Sequence, residues 1–134
     1  MYSNVDSLLH KRHELDQLLN SLETKPHIIS LTEVNYKNKD IKYEVHEFSI
    51  PSCIMRHNIQ NKGERGVVIY VSSDLESIFV ESASHGPEFV FIKLEIEKGH
   101  YITLGNIYRS PNSTQTDDMN LCKELECLVG DVKK

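Results

Sequence analysis

Phe89-Val90-Phe91-Ile92-Lys93-Leu94-Glu95-Ile96 and Tyr101-Ile102-Thr103-Leu104-Gly105-Asn106-Ile107-Tyr108 flank four residues, Glu97-Lys98-Gly99-His100. Both runs are rich in β-branched and aromatic residues, and the short connector carries a turn glycine. That combination predicts a β-hairpin, so the sheet that contains it is at least partly antiparallel. Working outward, Gly66-Val67-Val68-Ile69-Tyr70-Val71 is almost wholly apolar, as expected of a central strand covered on both faces. Ser77 to Glu81 is a weaker strand candidate. His27-Ile28-Ile29-Ser30-Leu31-Thr32, entered through Pro26, reads as a further buried strand, and Glu33 closes it.

Helical spacing marks the two ends of the chain. Val5, Leu8, Leu15, Leu19 and Leu22 form one stripe, widened by Leu9 and Leu18, which predicts a helix over 5–24. Asn4, Asp6 or Ser7 would cap its start, and Pro26 limits its end. Met119, Leu121, Leu125, Leu128 and Val129 predict a second helix over 115–129, capped by Thr114 or Thr116 and stopped at Gly130. Residues 34–65 are polar and irregular. Tyr43, Val45 and Phe48 suggest an extended piece there, and 58–64 a loop around Gly63. The order of elements suits an α/β sandwich with a mixed, largely antiparallel sheet better than a doubly wound parallel one.

The chain has 134 residues, with 20 acids against 15 Lys and Arg, for a net charge of -5. That argues against a basic nucleic-acid wrapper, but not against a site that grips a few phosphates locally. No apolar run approaches a membrane span, and the N-terminus does not read as a signal peptide. Cys53, Cys122 and Cys127 lack both a disulfide framework and zinc-ligand spacing. They read as small apolar residues in a reducing, intracellular compartment, nuclear or cytoplasmic.

Glu33 is the candidate that stands out. An acid at the end of a buried strand needs something to offset its charge. The carboxyl end of a strand in an open α/β sheet is also where ligands bind. A carboxylate capping the next turn is the plainer alternative. Three blocks occupy such strand-end or helix-entry positions: Asn4-Val5-Asp6-Ser7-Leu8, Leu31-Thr32-Glu33, and Gly105-Asn106-Ile107-Tyr108-Arg109-Ser110-Pro111-Asn112. Between the last two stands Arg65-Gly66-Val67-Val68-Ile69-Tyr70.

In this order the four blocks resemble the endonuclease/exonuclease/phosphatase superfamily. They are most similar to the apurinic-type endonuclease domain of non-LTR retrotransposons. The resemblance implies a four-layer α/β/β/α sandwich of deoxyribonuclease-I-like type. It also implies divalent-metal-dependent phosphodiester hydrolysis on DNA, with magnesium or manganese as cofactor. Glu33 matches the metal-binding acid, and Asp6 a second acid found in some members. Asn4 matches the asparagine lining the metal and phosphate site, and Tyr108 the tyrosine that contacts the scissile phosphate. Arg109 and Asn112 match phosphate-contact positions of the Tyr-Arg-x-Pro form.

The resemblance also implies a second half, with a strand ending in Gly-Asp-x-Asn and a later Asp-His pair. Neither motif occurs in these 134 residues. Gly130-Asp131 is followed by Val132-Lys133, and no Ser-Asp-His occurs. None of the seven histidines is a recognisable general base. The family's first strand is shortened here to Met1-Tyr2-Ser3. Residues 1–134 are therefore expected to form a single partial domain, weakly active or inactive alone. A non-catalytic remnant or binding module, and a phosphatase of the same superfamily, are the alternatives. An incompletely covered sheet face would favour self-association.

Overall fold

A computed structural model describes residues 1–38, 40–59, 64–83 and 88–132. The expected loop core at 60–63 and His85 lie outside the described residues. Among the described residues the chain is mixed α/β, with two mostly antiparallel sheets and two α-helices. The first sheet contains β1 (Tyr2–Asn4), β2 (Ile28–Thr32), β3 (Cys53–His57) and β4 (Val67–Ser72), in the order β1-β2-β4-β3. The second contains β5 (Ser77–Ala83), β6 (Glu88–Glu97) and β7 (His100–Tyr108), in that order. The helices are α1 (Arg12–Ser21) and α2 (Gln115–Val132).

Period-two alternation along β4 explains how these parts stack. Val68 and Tyr70 point to one side and join Leu8, Leu15, Ile29 and Leu31 in a cluster under α1. Val67, Ile69 and Val71 point to the other and meet Val90, Ile92 and Leu94 of β6. β6 alternates in turn, and its Phe89 and Phe91 pack against Leu128 of α2. Three apolar clusters thus lie between α1 and the first sheet, between the sheets, and between the second sheet and α2. The predicted hairpin is β6–β7, in register from Glu88↔Tyr108 to Glu97↔His100 with a bulge near the turn. Gly99 takes φ +81 there, a conformation that glycine adopts without strain.

Several expectations need correction, and one strand was not foreseen. The first helix does not begin at residue 5. Val5, Ser7 and Leu8 donate their N–H groups to the carbonyls of Thr32, Glu33 and Val34, at 3.0, 2.7 and 2.9 Å. This holds 5–8 alongside β2 instead of coiling it. Asp6 and Ser7 then turn through positive φ, a short 3-10 segment (Leu8–Lys11) follows, and α1 starts at Arg12. Asn4 is consequently the last residue of β1, which runs parallel to β2, and Asp6 sits in the turn. Neither caps a helix.

The extended piece expected at 43–48 is instead a 3-10 helix, Val45–Phe48. Glu44 and Glu47 form a reciprocal capping box there, and the Glu47 carboxylate accepts the Glu44 N–H at 2.6 Å. β3 went unpredicted because Arg56 interrupts its apolar pattern. The guanidinium reaches across to donate to the Ser77 carbonyl at 2.9 Å. Finally, α2 continues through Gly130 to Val132, so that glycine does not stop it. Its start is as expected at Thr114, whose hydroxyl accepts the Asp117 N–H at 3.2 Å. Of the cysteines, Cys53 is half-buried, whereas Cys122 and Cys127 are exposed and do not act as apolar filling. Among the described residues, no helix is long and apolar enough to cross a membrane.

Gly105 faces Phe91 across the β6–β7 ladder. A Cβ at this position would lie 2.3 Å from Cε1 of that ring. Phe91 is buried against α2, so the ring cannot yield without disturbing the third cluster. Gly105→Ala is expected to cost about 1–3 kcal/mol in urea unfolding. Unchanged stability would show that the ring has room to move.

Candidate functional site

Parallel pairing of β1 with β2 sets Asn4 opposite Thr32, so both strands end together. Glu33 follows immediately, at φ 56, and turns its carboxylate toward β1. The Asn4 amide donates to Glu33 Oε1 at 2.7 Å. Arg65 enters from the residues just before β4. Its Nη2 lies 3.0 Å from Glu33 Oε2 and 2.6 Å from Asp6 Oδ1. Lys37 reaches the other Asp6 oxygen at 3.3 Å. The cation that offsets the strand-end acid is thus Arg65.

Tyr108, the last residue of β7, brings the second sheet to the same place. Burial raises its hydroxyl pKa, and the nearby Glu33 charge raises it further. Hydrogen bonds from Arg65 first, then Lys37, hold the Asp6 carboxyl below the ordinary aspartate range. The structure therefore brings together Asn4, Asp6, Glu33 and Tyr108 of the residues singled out from the sequence.

Arg109 and Asn112 are differently engaged. The Arg109 guanidinium donates twice to the Asp118 carboxylate, at 2.7 and 3.0 Å, in a bidentate pair that ties the end of β7 to α2. Asn112 is exposed in the following turn, where its N–H donates to the Ser110 hydroxyl at 3.3 Å.

Three residues matter here to which the sequence alone assigned no role. Arg65 heads the Arg65–Tyr70 block, where the glycine and the apolar run after it are the conspicuous features. Glu88 opens β6 and is only 3% exposed. Its two carboxylate oxygens accept the backbone N–H groups of Arg65, at 3.1 Å, and Gly66, at 2.8 Å. Burial pushes its pKa up, against the opposing pull of those two donors. An acid heading an apolar strand was a visible signal, the mirror image of Glu33. Asn106 is buried in mid-strand on β7, and its amide donates to the carbonyls of Leu31 and Val68, both at 3.0 Å. Asparagine is uncommon inside strands, which was the clue available.

Gly66 completes the clamp. It takes φ +81, and a Cβ on it would come within 2.8 Å of Val34 Cγ2 and 2.9 Å of the Asn35 side chain. Only glycine fits this close approach. Val34 and Asn35 donate their N–H groups to the carbonyls of Gly66 and Arg65 at 3.3 and 2.7 Å.

Among the described residues no group of three or more His, Cys, Asp or Glu converges to hold a metal ion. A magnesium ion needs less, because it keeps several waters and is often held by one or two carboxylates with substrate phosphate. Glu33 and Asp6 with the Asn4 amide are a donor set of that kind, and a carboxylate offers about four lone-pair sites in all. Manganese accepts the same oxygen donors. The residue types therefore fit such an ion, with Arg65 as its competitor. Neither a family model nor a curated protein matches the chain.

The carboxyl shifts have opposite effects on stability. Asp6 titrates lower when folded, so its stabilisation is present above the ordinary aspartate pKa and is lost as pH falls through the folded value. Glu88 titrates higher when folded, so its contribution weakens as pH rises from the ordinary glutamate pKa through the folded one. Carboxyl-carbon NMR titration is expected to place Asp6 below and Glu88 above their ordinary ranges. Arg65→Gln is expected to move the Asp6 midpoint upward. An unmoved midpoint would assign the Asp6 shift to Lys37 instead.

Proposed function

We propose that this chain carries the metal-binding and phosphate-binding part of an endonuclease-like domain. The domain would hydrolyse phosphodiester bonds in DNA with magnesium or manganese, and would be of the retrotransposon type. The observation that carries the reading is convergence. Asn4 with Asp6, Glu33, and Tyr108 come from three widely separated parts of the chain, yet meet where β1, β2 and β7 end. The stacking of α1, the first sheet, the second sheet and α2 is in keeping with a four-layer sandwich of deoxyribonuclease-I-like type. A DNA substrate fits an intracellular setting, nuclear or cytoplasmic.

Each residue then has a defined task. Glu33 and Asp6, with the Asn4 amide oxygen, hold the divalent ion. Bound there, the ion supplies Lewis-acid polarisation of a phosphoryl oxygen. The Asn4 amide N–H fixes the Glu33 rotamer, so the carboxylate is pre-oriented. The Tyr108 hydroxyl stays protonated well above neutral pH, because burial and the Glu33 charge both oppose its ionisation. It therefore serves as a donor to a phosphate oxygen. Arg109 is spent on Asp118 and orients the β7–α2 corner; Asn112 remains accessible to a phosphate backbone.

No Gly-Asp-x-Asn or Asp-His pair stands among these residues to activate a nucleophile. The 134 residues alone are accordingly a binding unit whose turnover is weak or absent. This favours the binding-module reading for the isolated chain over an independent nuclease or a phosphatase.

Manganese added to the labelled chain is expected to broaden the NMR signals of the Asn4 amide, Glu33 and Tyr108. Glu33→Gln is expected to weaken manganese binding about tenfold or more. Any nicking of supercoiled plasmid in magnesium is expected to vanish with the same substitution. Broadening spread evenly over the surface, or unchanged in Glu33→Gln, would reject the reading.

A further inference from the structure

We infer that Arg65 is a resident cation of this site, which a divalent ion must displace, and that it sets the site's metal affinity. This rests on the reading of Glu33 and Asp6 as metal ligands. The argument begins with how the guanidinium is held. A well-anchored arginine grips a carboxylate with two nitrogens at once. Arg65 instead uses a single nitrogen, Nη2, shared between Asp6 Oδ1 at 2.6 Å and Glu33 Oε2 at 3.0 Å. Its Nε is buried without a hydrogen-bond partner. The head group thus acts as a bridging point charge between two acids, with its fork unused.

The main chain beneath it is held quite differently. The N–H of Arg65 is bound by Glu88, its carbonyl by the Asn35 N–H, and the Glu64 carbonyl by the Asn35 side chain at 2.8 Å. Gly66 is fixed by Glu88 and by its contact with Val34. A clamped backbone, with the head held through one nitrogen, confines motion to the side chain. The guanidinium can leave the acids while the residues that carry it stay in place. Its side chain is about one-fifth exposed, so a route to solvent exists.

Charge balance gives this exchange its meaning. Asp6 and Glu33 supply two negative charges; Lys37 lies on the outer Asp6 oxygen, and Arg65 is the cation shared by both acids. A divalent ion entering the same space meets the repulsion of the guanidinium until it swings out. Removing the positive charge at residue 65 should therefore strengthen metal binding, the reverse of the usual effect of deleting a site residue.

The test is manganese affinity, read by NMR broadening at Asn4 and by calorimetry, on the full chain and three variants. Arg65→Gln is expected to bind manganese on the order of tenfold more tightly than wild type. Arg65→Lys keeps the charge and is expected to stay near wild type. Equal or weaker binding by Arg65→Gln with an intact spectrum overturns the inference. Should that variant unfold, the Arg65 Nε–H signal of the wild-type chain decides. It is expected to shift with magnesium in step with Asn4; a signal unmoved while Asn4 shifts overturns the inference. Binding abolished by Glu33→Gln but indifferent to Arg65→Gln rejects the resident cation and leaves the proposed function standing. No binding at Asn4 in any form rejects both.

Discussion

β4 has almost no solvent-facing side, and much of the structure follows from that constraint. Val67, Val68, Ile69, Tyr70 and Val71 are all fully buried. A strand buried on both faces needs an apolar layer on each, so α1 must lie to one side and the second sheet to the other. Tyr70, the largest of these side chains, stays buried because its hydroxyl donates to the Phe48 carbonyl at 2.5 Å. The same strand pairs with both β2 and β3. Residues at its N-terminal end are thereby delivered to the end of β2, where Glu33 turns out of the sheet.

The architecture was legible in the sequence where apolar periodicity was strong. β4, β2 and the β6–β7 hairpin stand where the pattern places them. Legibility failed where backbone hydrogen bonding overrode the side-chain pattern. Leucine spacing suggested a helix from residue 5, but the N–H groups of Val5, Ser7 and Leu8 were already committed to the β2 segment. The Glu44–Glu47 capping box likewise decided the conformation of a segment whose alternation suggested strand. β3 was hidden because its one charged residue points across to β5 instead of into water.

The site was half legible, for an electrostatic reason. Glu33 could be found because an ionised group ending an apolar strand demands compensation. The compensating partner could not, since Arg65 is one cation among fifteen Lys and Arg and only the fold selects it. Glu88 lay in plain view as an acid heading an apolar strand. Its partners are backbone amides, however, and these leave no mark in a sequence.

Glu88 and Asn106 also bear on how the two sheets sit against each other. The interface between them is built of Val, Ile and Leu side chains, a surface that resists separation but offers little to oppose sliding. Besides the link between Arg56 and Ser77, two buried polar pins hold it. Glu88 of β6 grips the amides that precede β4, and Asn106 of β7 grips carbonyls of β2 and β4. Each is directional and is satisfied by two partners in this alignment. The sandwich is therefore keyed rather than merely stacked. Drift among the aliphatic residues of the interface, Val for Ile or Ile for Leu, leaves the alignment of the strands that end at Asn4, Thr32 and Tyr108 intact, whereas the two pins are not free to vary.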